Sequence, residues 1–316
     1  MNESINTDCV KKFLKKILLS WVICLLFISP VNANTIAKIQ FDTIVTSTQQ
    51  QAIAFINSVE KLDSSAFWPN IRPALFLKNL KSNVQNPIGI YPGNGTNFCA
   101  YGAITYLFLQ DDPLGYATLL LQLYKEGKAT FKKTTYKPSF AVRKAAGTMK
   151  FKGILDIHPA EQMWFLCLAD HHKGYLNIFN RKFNQGDEST FWASVNYAKF
   201  NRMARKLLNY RINPRGSDVI HPSVGNRFEY ISKKLETGKV VLFINNRVVH
   251  KKNHRRIKVG FPTHFIVLER ITQEKGLITL TYWDYGGKTQ IQLYPDFLRK
   301  IVFGITQFTK RESDVK

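Results

Sequence analysis

Three side chains that stand far apart in this chain have the joint chemistry to attack a carbonyl: the thiol of Cys99, the imidazole of His264 and the carboxylate of Asp284. In such a set the thiolate is the nucleophile, the imidazole takes and returns the proton, and the carboxylate holds the ring in one tautomer. Cys99 follows the loop NPIGIYPGNGTN, Asn86 to Asn97, in which three glycines and two prolines exclude regular structure. The apolar run from Phe98 to Gln110 then predicts a buried helix. The free N–H groups and dipole of a helix start favour negative charge, hence thiolate over thiol. The Cys99 backbone N–H is the natural first donor to the oxyanion of an attacked carbonyl, and Asn97 or Asn94 just upstream supplies a second. A buried structural cysteine is the plain alternative for an isolated Cys.

His264 and Asp284 must be brought together by a hairpin. Phe265 to Leu268 and Ile278 to Trp283 are short apolar, β-branched runs, and Glu274-Lys275-Gly276 between them has turn chemistry. His264 opens the first strand and Asp284 closes the second. Pairing Gln273 with Gly276 leaves Asp284 one residue short of facing His264, and a one-residue change in the loop sets both on the same side.

The remaining elements are legible in outline. Residues 34–85 read as a helical lead-in, with helical spacing in AIAFINSVEKL, Ala52 to Leu62. Asp112-Pro113 caps a helix that Gly127 ends. Further helices are expected over Pro159 to Asp170, Phe191 to Asn209 and Pro222 to Glu236. Val240 to Ile244 is a buried strand, Ile291 and Leu293 mark another, Pro295 to Ile301 a helical turn and Ile305 to Phe308 a last strand. Helices first and antiparallel strands after make an α+β fold. The expected organisation is a signal peptide at 1–33, the lead-in at 34–85 and a catalytic domain at 86–316 with basic helical insertions at about 126–216.

With 45 Lys+Arg against 22 Asp+Glu, the 316-residue chain carries a formal charge of +23, which calls for an acidic partner. From Lys125 to Lys152, nine basic residues interleave with Phe131, Tyr136, Phe140 and Phe151, the make-up of a single-stranded nucleic-acid surface or of a solvated segment. The connector Arg247 to Lys258, with His250 and His254, carries six basic residues and no acid, and would draw an acidic substrate towards His264. Lys11, Lys12, Lys15 and Lys16 precede the apolar run Ile17 to Pro30, and Val31-Asn32-Ala33 offers a cleavage site. The run is short for a membrane span of about 20 residues. The protein is therefore expected to be exported, periplasmic or secreted, with no stable span after cleavage. Cys9 and Cys24 leave with the signal, so Cys99 and Cys167 either pair or leave Cys99 free to react. Cys167 and His171, with Asp170, His172 and His158 nearby, have only two well-spaced ligands for zinc, and no metal or cofactor is expected.

The order of these pieces resembles the papain-like cysteine peptidases, and among them the bacteriocin-processing (double-glycine leader) peptidase-like branch. The resemblance rests on Asn97-Phe98-Cys99-Ala100, Gly238-Lys239-Val240-Val241-Leu242, His264-Phe265-Ile266-Val267-Leu268, Trp283-Asp284-Tyr285-Gly286-Gly287 and Leu293-Tyr294-Pro295-Asp296-Phe297, and spans about residues 86–309. It implies a helical half with the nucleophile at a helix start, an antiparallel sheet carrying the base and orienter, and attack on an amide carbonyl through a thioester. The implied function is an exported peptidase, amide hydrolase or acyltransferase, an effector or toxin among the options, acting on an acidic protein or peptide. Two positions depart from the pattern. Gly93 stands where the family has Gln, and Ala100 where Gly often follows the Cys, so the side-chain oxyanion donor stays open between Asn97 and Asn94. The alternative from another class is a non-catalytic exported protein whose basic surface binds nucleic acid or an anionic envelope polymer.

Overall fold

Gly, Pro and capping side chains set the helix limits of the first half. The computed structural model describes residues 46–59, 61–150, 152–172, 182–246 and 260–310, which belong to one unit spanning Ile44–Lys316. The signal segment, Cys9, Cys24, Phe151 and the basic connector with His250 and His254 lie outside the described residues. Helix α1 (Gln49–Asn57) starts at a Thr48–Gln51 capping box and ends at Asn57, five residues earlier than the spacing of Ala52 to Leu62 predicts. Helix α2 (Pro73–Gln85) follows with Pro at its first turn, and a 3₁₀ turn at Pro87–Gly89 interrupts the loop before Cys99. Helix α3 (Cys99–Asp111) is buried on nearly every side. Helix α4 (Pro113–Glu126) is capped by Asp112, and Gly127 ends it in the left-handed region at φ 66°.

The basic region that follows is not only helical. Strands β1 (Ala129–Phe131) and β2 (Thr134–Tyr136) form a small hairpin, followed by α5 (Phe140–Ala145) and α6 (Pro159–His171). Phe131 packs on Phe108 and Tyr136 on Trp164, so two of the interleaved aromatics serve the core. Helix α7 covers Tyr197–Leu207 rather than Phe191 to Asn209, because Asn196 caps it through the Lys199 N–H. Helix α8 covers Arg227–Glu236, since the Asn226 side chain accepts from Phe228 and Glu229 and so displaces the start expected at Pro222.

The strands that matter for the site are β3 (Tyr210–Gly216), β4 (Lys239–Ile244), β5 (His264–Glu274), β6 (Leu277–Asp284), β7 (Gly287–Leu293) and β8 (Val302–Lys310), the last preceded by α9 (Pro295–Ile301). They form a six-stranded antiparallel sheet in the order β3-β8-β4-β5-β6-β7. The whole is α+β. Alternate residues of β4 explain its unbroken apolar run. Val241 and Phe243 join the large core shared with α3, α6 and α7, whereas Val240, Leu242 and Ile244 join a second core under α8 and α9. The sheet is therefore covered on both faces.

Candidate functional site

The hairpin that carries the imidazole and carboxylate is built differently from the simplest reading. Its loop is Lys275-Gly276, both with positive φ (49° and 78°), and Glu274 pairs with Leu277 rather than Gln273 with Gly276. Carried down straight strands, that register sets His264 and Asp284 on opposite faces. A bulge between Leu268 and Arg270 inserts Glu269, and beyond it Val267 faces Trp283. One residue further Ile266 lies opposite Asp284, and His264 falls two residues beyond on the same face. Glu269 is held in place from both sides. The Tyr106 hydroxyl of α3 donates to its Oε1 at 2.7 Å, and Lys288 Nζ lies 2.7 Å from its Oε2.

The sheet end where β5 begins and β6 ends meets the start of α3. His264 is 2% exposed and Asp284 8%, and His264 Nε2 donates to Asp284 Oδ1 at 2.5 Å. The Cys99 Sγ lies 4.0 Å from the Thr263 carbonyl oxygen, close enough to the His264 ring for its charge to favour the imidazolium. Burial is the largest influence on His264 and opposes its charge. The hydrogen bonds and negative charges of Asp284 and Cys99 together outweigh it, and its pKa rises to about 10. Among the described residues Cys99 and Cys167 are free thiols; Cys99 is partly exposed, whereas Cys167 is buried in α6, where burial raises its pKa.

Packing fixes this junction. Trp283 stacks on Tyr106 with ring centroids 5.0 Å apart, and its Nε1 donates to the Ile88 carbonyl at 3.0 Å, tying β6 to both α3 and the loop before Cys99. Gly102 lets them approach, since a Cβ there would sit 3.1 Å from Pro92 and from Trp283. Glu161, fully buried, accepts from the Tyr91 N–H at 3.2 Å and from His158 Nδ1 at 3.1 Å. Burial pushes its carboxyl up although those hydrogen bonds pull the other way. Two further segments brace the loop. The Gly95 N–H donates to the Lys152 carbonyl at 3.2 Å, and the Asn97 N–H to the Glu188 carbonyl at 2.8 Å. Lys152 and Glu188 are themselves joined at 2.8 Å. The contacts that Trp283, Glu161, Lys152 and Glu188 make to the Cys99 loop join segments far apart in the chain, so none of these pairings could be read from the sequence.

Asn97 lies beside the thiol in sequence, but its side-chain amide donates to the Thr190 carbonyl at 2.8 Å. Asn94 is exposed and its Oδ1 accepts from the Tyr91 hydroxyl at 3.4 Å. At Gly93, φ is +76° and a Cβ would come within 2.8 Å of the Lys152 carbonyl oxygen and 2.9 Å of Ile157, so the loop has no room for a side chain there. The residue that sequence reasoning missed is Tyr285. Its ring stacks on His264 with centroids 4.7 Å apart, and its hydroxyl lies 3.3 Å from His264 Nδ1.

His158 bonds to Glu161, and among the described residues no group of three or more His, Cys, Asp or Glu side chains gathers as a metal site. No helix among the described residues is long and apolar enough to cross a membrane. Comparison with protein-family models, curated proteins and solved structures finds no match, so the geometry carries the reading of the site.

Proposed function

We propose that this chain is an exported papain-like thiol enzyme that cleaves or transfers at an amide carbonyl, with Cys99 as nucleophile, His264 as base and acid, and Asp284 as orienter. The observation that carries the reading is the buried imidazole bound at Nε2 to Asp284, beside the thiol of a helix-start cysteine whose charge favours the imidazolium. Asp284 fixes the Nε2–H tautomer, which leaves Nδ1 to exchange the proton with Cys99. Sγ bonds to the carbonyl carbon while the C=O π pair moves onto oxygen, where the first N–H of α3 donates. Collapse breaks the C–N bond as Nδ1–H protonates the leaving amine. Water, deprotonated by Nδ1, then opens the thioester and restores the thiol.

An acidic protein or peptide is the substrate class that the chain's charge of +23 favours. Exposed Ile154, Leu155 and Phe191 lie on or beside the segments that brace the Cys99 loop, and exposed Phe261 lies just before Thr263. Such side chains suit the alternating side chains of an extended peptide.

The test is the rate of Cys99 alkylation by iodoacetamide against pH. Fast alkylation at about pH 6, slowed sharply in His264→Ala with Cys167 inert throughout, supports the reading. A rate no greater than that of a free model thiol, indifferent to His264→Ala, overturns it and leaves a basic binding protein with this fold.

A further inference from the structure

Tyr285 occupies a turn position that suits it badly. Asp284 pairs directly with Gly287, so Tyr285-Gly286 is a two-residue hairpin loop, and both residues have positive φ, 42° and 82°. Such turns favour Asn or Gly first, because a Cβ is crowded in that region. A tyrosine kept there at a cost points to a role for its side chain. The turn is also docked, since a Cβ on Gly286 would lie 3.5 Å from the Gly89 carbonyl oxygen and from the Tyr91 ring. The loop that delivers Cys99 and the turn that delivers Tyr285 are therefore packed together.

From that position the phenol lies flat against His264, its hydroxyl 3.3 Å from Nδ1, the nitrogen that Asp284 does not hold. Burial, then the negative charges of Cys99 and Asp284, hold the phenol well above its ordinary pKa range, so the hydroxyl keeps its proton as a donor. When the ring is neutral, Nδ1 accepts that proton in a hydrogen bond. When the ring is charged, Nδ1 bears a hydrogen of its own and can accept nothing. The hydroxyl must then aim its proton at another anion beside the ring.

The geometry points to Tyr285 as a catalytic residue of the reaction proposed above: its hydroxyl donates to the oxygen of the carbonyl that Cys99 attacks, together with the Cys99 backbone N–H. This assignment rests on that functional reading. In the step, the Sγ electron pair forms the S–C bond and the C=O π pair moves onto oxygen. The attacking thiolate has already given its proton to His264, so the ring is an imidazolium that accepts nothing from Tyr285, and the hydroxyl is free to meet the oxyanion as it forms. A hydrogen bond gained only at that stage lowers the barrier rather than tightening substrate binding. Of the candidates upstream, the Asn97 amide donates to Thr190 and Asn94 is exposed with its Oδ1 turned to the Tyr91 hydroxyl, while Gly93 has neither side chain nor room for one.

Two probes separate this role from simple support of the imidazole. Acylation of Cys99 by p-nitrophenyl acetate passes through an oxyanion and releases p-nitrophenolate. Alkylation by iodoacetamide displaces iodide at a saturated carbon and forms none. Tyr285→Phe keeps the stacked ring and removes only the hydroxyl. In the full chain, it should slow acylation on the order of 10²-fold while alkylation stays within about threefold. An equal fall in both rates overturns the assignment in favour of a positioning role, and no fall in either overturns it outright. Cys99→Ala and His264→Ala run alongside: if acylation survives both, the functional reading itself has failed, an outcome distinct from failure at Tyr285.

Discussion

Asp284→Asn removes the charge that makes a buried imidazolium tolerable while keeping an oxygen for Nε2–H. His264 is 2% exposed, and its pKa of about 10 stands against an ordinary value near 6.5. Because the folded value is the higher, the protonated ring stabilises the fold fully below about pH 6.5, and this stabilisation is lost as pH rises through about 10. An opposite charge in direct contact accounts for about 1–3 pKa units. In Asp284→Asn, His264 should then titrate between about 7 and 9. At about 1.4 kcal/mol per unit, the variant should be less stable at pH 6 by about 1.4–4 kcal/mol. The gap should narrow as pH approaches 10. Urea unfolding at pH 6 and pH 9.5 measures the gap, and NMR titration of the His264 ring measures the cause. A wild-type ring titrating near 6.5, or a stability gap indifferent to pH, would refute the reasoning.

Gly93→Gln, which installs the residue that the resembled family carries, should lower stability by about 2 kcal/mol or more, because φ is +76° and the Cβ meets the Lys152 carbonyl at 2.8 Å. Differential scanning calorimetry reads it, and unchanged melting would contradict the packing described. Deleting Glu269 leaves Leu268 opposite Tyr282 and Arg270 opposite Thr281, so His264 and Asp284 still share a face, while the contacts of Glu269 to Tyr106 and Lys288 are lost. The variant should lose about 1–3 kcal/mol in urea unfolding yet keep rapid Cys99 alkylation at pH 6, and loss of that alkylation would contradict the register described. Exported protein, sequenced from its N-terminus, should begin near Asn34, whereas a mature chain starting at Met1 would contradict cleavage.

Features governed by neighbours in sequence were legible from the chain alone. Pro113 and Gly127 bound α4 because one fixes φ and the other admits the left-handed region, and neither effect needs a distant contact. The same holds for α9 at Pro295–Ile301 and for the hairpin holding His264 and Asp284, whose apolar runs and turn chemistry are local. Strand β3 was not legible. Its segment YRINPRG is polar and contains Pro214, which a strand tolerates at the sheet edge, where it pairs on one side only. That pairing joins Tyr210 to Lys310 across most of the second half of the chain.

The site divides along the same line. Residue type and spacing mark Cys99, His264 and Asp284 as chemistry, but only the folded chain decides which groups face them. The Glu269 bulge, anchored by Tyr106 and Lys288, puts His264 and Asp284 on one face. The turn packed on Gly89 and Tyr91 lays Tyr285 on the imidazole, and the Asn97 amide is drawn to Thr190. Each is a contact between segments far apart in sequence. Its free energy comes from packing and from burying polar groups with partners, and neither can be read from local propensity.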